Sequence, residues 1–270
     1  MTPLLIAGLP RSGTTALVRL LNTHPRVGLA MERYKFLARH SRLPAWSDRL
    51  FAPDRLFFPD AADTNILPTE DNGWARYYDR LRGRMTDRTL TVVGDKYPFY
   101  YEYASGIARR VPGLRMLILL RDIQGIAASY QRRAEDADDR WPARNGYRLA
   151  VRHYNTALPI WTEQVSGPLA DRMAFLSYER LFQGDTEALD HLLGWLDLGR
   201  DPALDRAFRR QPETWQGLET RTSALTSRQT AWIEKKIDRR AEARFFSALH
   251  GSPAHILRSS VSAAPPPTPS

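Results

Sequence analysis

The segment "AGLPRSGTTALVRLL" (7–21) carries the strongest fold signal in the chain. An apolar strand (3–9) leads into a glycine-containing turn, and an amphipathic helix with leucines on one face follows it. Gly8 and Gly13 have the spacing of the phosphate-binding loop of nucleoside triphosphatases, but Thr14 stands where that loop has its lysine. The segment therefore predicts a strand–loop–helix unit that binds a phosphate group without the lysine that neutralises a triphosphate.

The residues of this loop suit an anion. A turn that opens a helix presents several backbone N–H groups, and the helix dipole adds to their attraction for negative charge. We expect the anion to contact the five consecutive residues Arg11, Ser12, Gly13, Thr14 and Thr15. The alternative is an ordinary helix start with Ser12 as its N-cap.

The rest of the chain alternates between predicted strands and helices. Further strands are expected at 89–96, 114–120 and 173–178, and further helices at 33–42, 74–85, 99–111, 123–133, 147–165, 186–197, 202–210 and 226–241. This alternation predicts an α/β fold, a single domain (1–258) with a central parallel sheet flanked by helices on both faces. The last residues, 259–270, are rich in Pro, Ser and Ala and are predicted to be a disordered tail.

Polar residues follow each predicted strand, where ligands bind to parallel sheets. The pairs are Arg11–Ser12, Asp95–Lys96, Arg121–Asp122 and Tyr178–Glu179. Because the carboxyl ends of parallel strands meet at one edge of the sheet, we expect these side chains to form a single site.

The composition favours an anionic ligand but not a nucleic acid. The net charge is +9, and 35 arginines stand against four lysines. These charges are scattered along the chain, and they lack the aromatic–basic interleaving of single-strand binders. The chain has no cysteine, which excludes disulfides and thiolate chemistry. It has no apolar run long enough for a membrane helix, so we expect a cytoplasmic enzyme that binds neither nucleic acid nor membrane.

Two segments resemble sulfotransferases that use 3′-phosphoadenosine-5′-phosphosulfate (PAPS). "GLPRSGTTALVRLLNTHP" (8–25) is similar to their 5′-phosphosulfate loop, which likewise lacks the triphosphatase lysine. "LLRDIQGIAASY" (119–130) is similar to the element that holds the 3′-phosphate, which implies that role for Arg121 and Ser129. The resemblance also implies an adenine contact for Tyr178, for which a core tyrosine is the alternative.

The same resemblance implies three catalytic residues. Glu32, in "GLAMERYKF", matches the glutamate that acts as general base, although a solvated glutamate paired with Arg33 or Arg26 is the alternative. Lys96, in "GDKYP", matches the lysine that stabilises the transition state, and Arg11 would share that role at the sulfuryl group. We expect His24 to be structural and Asp95 to be either a turn residue or a residue that orients Lys96.

The predicted reaction moves the sulfuryl group of PAPS to an acceptor hydroxyl and releases adenosine 3′,5′-bisphosphate (PAP), with no metal. The acceptor is a small molecule or glycan: a carbohydrate, a phenol or a natural product. A peptide tyrosine is disfavoured because Met31–Glu32 replaces the Glu–Glu pair of the tyrosylprotein enzymes. Two alternatives are a P-loop kinase or NTPase that uses ATP and Mg²⁺, and a nucleotide- or RNA-binding protein without catalysis. The oligomeric state is not encoded in any pattern that we recognise.

Overall fold

Six parallel strands form one sheet, in the order β2-β3-β1-β4-β5-β6. The computed structural model describes residues 1–58, 73–85, 88–213 and 225–257, so the predicted tail lies outside the described residues. The strands are β1 (Thr2–Gly8), β2 (Val27–Met31), β3 (Val92–Lys96), β4 (Arg115–Leu120), β5 (Met173–Ser177) and β6 (His255–Leu257).

Helices connect the strands. They are α1 (Thr14–Leu21), α2 (Pro53–Leu56), α3 (Gly73–Met85), α4 (Ala104–Ala108), α5 (Ile123–Glu135), α6 (Tyr147–Val165), α7 (Tyr178–Phe182), α8 (Thr186–Trp195), α9 (Pro202–Arg209), α10 (Ser227–Lys236) and α11 (Arg239–His250), with 3₁₀ turns at His40–Ala45, Asp48–Phe51, Pro98–Tyr103 and Ala170–Arg172. This is the predicted α/β architecture with helices on both faces of a parallel sheet.

Two apolar clusters cover the two faces of the sheet. Alternate residues of each strand point to opposite faces, so Leu5 belongs to one cluster and Leu4 and Ile6 to the other. The first cluster packs against α4, α5, α6 and α11, and the second against α1, α7, α8 and α9. Both faces are therefore buried, which explains why the strands are apolar along their whole length.

Strand β2 was not predicted, because residues 26–32 were taken as irregular. "VGLAM" is only five residues long and contains Gly28 and Ala30, which have weak strand preference. Pairing with β3 and complete burial override that preference, since Val27 lies beside Val92 and Met31 beside Lys96. The consequence for function is that Glu32 follows a strand directly, at the same edge as the other candidate residues.

Three predicted helices differ from those observed. Residues 33–39 form turns rather than the start of a helix at 33–42, and the helix predicted at 99–111 is a 3₁₀ turn (Pro98–Tyr103) followed by the short α4. The helix predicted at 226–241 is two helices, because Ile237 has extended backbone angles and Asp238 caps α11 through the Ala241 N–H. These breaks follow local side-chain capping and tertiary packing, which periodicity does not report.

The topology places a ligand site beside β1. The chain adds β2 and β3 on one side of β1 and then crosses to the other side for β4, so the strand order reverses at β1. In open parallel sheets, ligands bind beyond the carboxyl ends of the strands at such a reversal. The loop that follows β1 contains Arg11, Ser12 and Gly13.

Candidate active site

The loop between β1 and α1 is shaped by unusual backbone angles. Gly8 and Gly13 have φ values of 148° and 96°, and Arg11 adopts a φ of 70°, which is rare for a residue with a side chain. Helix α1 starts with Gly13 as its N-cap and receives no side-chain capping bond. The alternative in which Ser12 caps the helix is therefore wrong. The N–H groups of the first turn, which includes Thr14 and Thr15, are free of a side-chain cap, as an anion site requires.

Ser12 has a buried hydroxyl. The residue is fully buried, and among the described residues no group bonds to its Oγ, while its backbone N–H donates to Leu9 O at 3.0 Å. A buried hydroxyl without a partner costs free energy, so native proteins usually supply one. A phosphate oxygen at the start of α1 would serve as that partner.

Tyr178 and Arg121 pack against the other side of the loop. A Cβ at Gly13 would overlap two ring carbons of Tyr178, which explains why glycine is needed there in addition to its positive φ. The Arg121 guanidinium carbon lies 4.4 Å from the centre of the Tyr178 ring, and Arg121 Nη1 donates to Arg11 O at 3.0 Å. The Tyr178 ring is buried, so it contributes at least the packing of a core tyrosine to the site.

Arg11 reaches across to the predicted 3′-phosphate element. Its Nε donates to Ser129 Oγ at 3.0 Å, which brings together Arg11, Ser129 and Arg121 as predicted from the strand ends. Burial lowers the pKa of Arg11, and the positive charges of Arg133, Arg132 and Arg121 lower it further. The guanidinium groups therefore repel one another, and a bound anion would relieve that repulsion.

Sequence reasoning missed Arg132 and Arg133. They follow Ser129 on α5 by three and four residues, the spacing that places side chains on one face of a helix. That spacing was visible in the sequence. Arg133 forms an ion pair with Asp139, in which Nε lies 2.5 Å from Oδ2.

Glu32 forms ion pairs with two lysines. Its Oε1 lies 3.3 Å from Lys96 Nζ and its Oε2 lies 2.9 Å from Lys35 Nζ, so its partners are lysines rather than Arg26 or Arg33. Burial opposes ionisation of the carboxyl, but the charges and hydrogen bonds of Lys96 and Lys35 outweigh it and hold the pKa of Glu32 below its usual value. Lys35 is a third residue that sequence reasoning missed. Its i,i+3 spacing from Glu32 predicts a contact only if residues 32–35 form a turn.

The backbone of Glu32 is held in a strained conformation. Its φ is 56°, and its N–H donates to Lys96 O at 2.6 Å across the end of the β2–β3 pair. A positive φ costs free energy in a residue that has a side chain. Such a conformation occurs where the surrounding structure imposes it, often at functional sites. Two of the three predicted catalytic residues, Arg11 and Glu32, have this conformation.

Asp95 fixes the turn that carries Glu32. The carboxylate is fully buried and accepts the N–H groups of Arg33 at 3.1 Å and Tyr34 at 3.0 Å, together with the Tyr100 hydroxyl. Burial raises the pKa of Asp95 despite these bonds. Of the two roles expected for Asp95, its hydrogen bonds fit the turn role, because they hold the backbone just after Glu32.

The two groups of residues lie on opposite sides of β1. Lys96 is in register with Ile6 on one side of β1, and Leu119, two residues before Arg121, is in register with Gly8 on the other. We name Arg121, Arg132 and Arg133, whose charges act on Arg11, the arginine group. The loop between β1 and α1 therefore lies between the Glu32–Lys96 pair and the arginine group. The polar residues after the strands therefore lie along one edge of the sheet, on both sides of β1.

His24 is part of the framework. The ring is buried, with Nε2 3.2 Å from Gly199 O and Nδ1 accepting the Arg26 N–H at 3.1 Å. Burial lowers the pKa of His24, so the ring is neutral near pH 7. Both nitrogens are occupied by backbone groups, which supports the structural role expected for this residue.

Two kinds of feature, metal-binding clusters and membrane-spanning helices, are absent from the described residues. These residues contain no group of three or more His, Cys, Asp or Glu side chains arranged to hold a metal ion. No helix within the described ranges combines the length and apolarity that a membrane crossing needs.

The chain was compared with known proteins. A solved sulfotransferase from Alicyclobacillus acidocaldarius is 18% identical, with 93% of this chain and 96% of that chain covered and a TM-score of 0.45. The sulfotransferase domain of the curacin biosynthetic pathway is 17% identical, with coverages of 75% and 76% and a TM-score of 0.48. A sulfotransferase from Mycobacterium tuberculosis H37Rv is 14% identical, with coverages of 91% and 76% and a TM-score of 0.48. No curated protein matches the sequence.

The family model gives the decisive match. The model described as "Sulfotransferase family" matches residues 3–202, well over half of the 270 residues. The matched range contains the loop after β1, Glu32, Lys96 and the arginine group, and the match favours a sulfotransferase over the kinase alternative. The chain belongs to the Sulfotransferase family.

Proposed function

We propose that this protein transfers the sulfuryl group of PAPS to the hydroxyl of a small-molecule or glycan acceptor. The observation that carries the proposal is the buried Ser12 hydroxyl just before α1, which has no hydrogen-bond partner among the described residues. Its loop also contains Arg11, which contacts Arg121 and Ser129, and the Glu32–Lys96 pair lies on the other side of β1. An anion-binding loop next to a base is the arrangement that sulfuryl transfer to a hydroxyl needs.

The loop and the arginine group fit the two anionic ends of the donor. The Ser12 hydroxyl and the N–H groups at the start of α1 would hold the 5′-phosphosulfate, and Thr14 leaves the loop without the lysine that a triphosphate requires. Arg121 and Ser129 would hold the 3′-phosphate. Arg11 contacts both Arg121 and Ser129. It therefore links the part of the site proposed for the 5′-phosphosulfate with the part proposed for the 3′-phosphate.

The acceptor hydroxyl would lose its proton to Glu32. The donor supplies an electrophilic sulfur whose bond to the phosphate oxygen breaks as a new bond to the acceptor oxygen forms. Glu32 accepts the acceptor's proton, and the ammonium group of Lys96 stabilises the charge that develops on the departing phosphate oxygen. Positioning and electrostatics therefore provide most of the catalysis, as in phosphoryl transfer.

Lys96 must change partner during this reaction. It is almost fully buried and bonds to Glu32 at 3.3 Å. When Lys96 turns toward the phosphate oxygen, Lys35 remains to balance the Glu32 charge. A compact ammonium on a flexible stem suits this movement better than a planar guanidinium.

Turnover with PAPS tests the proposal. Glu32→Gln should lower kcat by about 10²–10⁴-fold while the Kd for PAP changes little, because the base acts on the acceptor and not on the nucleotide. Glu163→Gln, an exposed glutamate on α6, is the matched control and should retain full activity. Unchanged turnover in Glu32→Gln would remove Glu32 as the base, and ATP- and Mg²⁺-dependent transfer would support a kinase.

A further inference from the structure

A continuous row of rings runs along one side of the site. We name Tyr97, Phe99, His153, Tyr130 and Trp141 the aromatic arc. Successive ring centres are 5.7, 5.3, 6.0 and 5.1 Å apart, and each neighbouring pair meets edge to face. These separations are those of favourable aromatic pairs. The arc joins the segment after β3 with α5, α6 and the loop between them.

The arc extends from the base to the arginine group. At one end, Tyr97 follows Lys96, and burial together with the charge of Glu32 raises the pKa of Tyr97 to about 12. At the other end, the Arg133 guanidinium lies 4.7 Å from the centre of the Trp141 ring. In the middle, Tyr130 follows Ser129. Burial raises the pKa of Tyr130, and the positive charge of Arg11 partly opposes that rise. The arc therefore borders the space where donor and acceptor must meet.

Most of the arc is accessible. Tyr130 is fully buried, whereas Tyr97, Phe99, Trp141 and His153 are each only partly buried. Tyr130 thus anchors the row, and the other four rings retain surface that a ligand can cover. Burial of a flat apolar ligand against such rings is favourable, and it orders few flexible side chains.

His153 supplies one polar contact within the arc. Its Nδ1 lies 3.0 Å from the Tyr130 hydroxyl. Burial raises the pKa of Tyr130 and lowers that of His153, so the phenol keeps its proton and the ring is neutral. Donation from the Tyr130 hydroxyl to Nδ1 places the imidazole proton on Nε2, for which the described residues offer no hydrogen-bond partner.

The chemistry of the base favours one class of acceptor. Lys96 and Lys35 hold the pKa of Glu32 below its usual value, which makes it a weak base. A phenol ionises near pH 10, whereas water, and alcohols like it, ionise near pH 16. A weak carboxylate base is thus far better matched to a phenol. A sugar would also need several hydrogen-bonding partners, and the partly exposed rings of the arc offer mainly apolar surface, with the Tyr97 hydroxyl and the His153 imidazole as polar groups.

We propose that the aromatic arc is the acceptor site and that its ligand is a small planar phenol, whose hydroxyl faces Glu32 and whose ring lies against Phe99 and His153. This inference rests on the proposed function, because it names the acceptor of that same reaction. In the transfer, the phenolic O–H proton passes to Glu32 and the phenolic oxygen forms the new bond to sulfur as the sulfur–phosphate oxygen bond breaks.

Calorimetry on the full chain saturated with PAP tests the proposal. The probes are 2-naphthol and decahydro-2-naphthol, which share a carbon skeleton and differ in aromaticity. We expect 2-naphthol to bind at least tenfold more tightly, and only 2-naphthol to become sulfated when PAPS replaces PAP. Equal affinities, or no binding of 2-naphthol to the PAP complex, would overturn the proposal, as would sulfation of a tyrosine-containing peptide in its place.

Two variants test the location. Phe99→Leu and His153→Leu each remove a ring of the arc and should each weaken 2-naphthol binding about tenfold while the Kd for PAP stays within twofold, which also verifies folding. Phe246→Leu, a partly buried phenylalanine on α11, is the matched control for Phe99→Leu. Unchanged 2-naphthol binding in both arc variants would place the acceptor elsewhere. Failure of the unmodified protein to bind PAP would instead overturn the proposed function itself, and this inference with it.

Discussion

Replacement of Lys35 by methionine should shift the pH dependence of the reaction. Lys35 Nζ lies 2.9 Å from Glu32 Oε2, and this contact favours the ionised carboxylate. Only the ionised form of Glu32 can accept a proton. Loss of the Lys35 charge raises the pKa of Glu32, so the acid limb of the pH–rate profile should move to higher pH.

The expected size of the shift follows from the geometry. The side chains of Lys35 and Glu32 are 32% and 23% exposed, so water screens their attraction. Coulomb's law with the dielectric constant of water gives ~1.4 kcal/mol at this separation, and measured exposed pairs contribute about 0.2–1 kcal/mol. Since ~1.4 kcal/mol corresponds to one pKa unit, these energies move the acid limb upward by about 0.1 to one unit.

The assay is kcat/KM for PAPS-dependent sulfation between about pH 4 and pH 9, because kcat/KM reports the ionisation of the free enzyme. At pH values above the acid limb, Lys35→Met and the unmodified protein should have similar values of kcat/KM. Lys35→Arg keeps a cation, so its acid limb should stay close to that of the unmodified protein, and Lys235→Met, an exposed lysine on α10, should cause no shift. An unmoved or lowered acid limb in Lys35→Met would refute the assignment of Glu32 as a base that Lys35 keeps ionised.

Other substitutions probe the donor site and its support. Arg121→Ala should reduce the preference for PAP over adenosine 5′-monophosphate by about 10–100-fold, the value of a charged hydrogen bond; a retained preference in titrations would move the 3′-phosphate site elsewhere. Gly13→Ala should weaken PAP binding at least tenfold, since its Cβ would overlap Tyr178 at a positive φ; unchanged affinity would contradict the packing of the loop. Asp95→Asn should lower the free energy of unfolding by ~3 kcal/mol, because an amide NH₂ would face buried donors; denaturation that matches the unmodified protein would show that these hydrogen bonds are dispensable.

The residues proposed to bind the donor could be recognised in the sequence because they lie in short local patterns or follow the end of a strand. The glycines of the loop after β1, the missing lysine at Thr14 and the Arg121–Ser129 spacing are all local patterns. The parallel sheet then brings their strand ends together, as the alternation of strands and helices implied.

The Glu32 region was harder to predict because tertiary structure sets its geometry. Strand β2 is weak in isolation and forms through its pairing with β3. The contact of Lys35 with Glu32 depends on the turn that Asp95 holds from another strand, 60 residues or more away in sequence. No local pattern reports such a contact, so the sequence predicted Glu32 as a candidate without its second lysine.

The aromatic arc was also beyond prediction. Its rings come from the segment after β3, from α5, from the following loop and from α6, and their order in space differs from their order in sequence. In the sequence, the same residues were indistinguishable from core aromatics. The partial exposure of four of the five rings, together with the proximity of the two ends of the arc to Glu32 and Arg133, is what separates the arc from the core.

Calorimetric titration with PAP, in parallel with ADP and with ATP and Mg²⁺, tests the central claim most directly. The loop without a lysine and the arginine group predict micromolar binding of PAP and little binding of ADP or ATP, with or without a chelator. Preferential binding of ATP with Mg²⁺ would contradict the donor assignment and support a phosphotransferase instead.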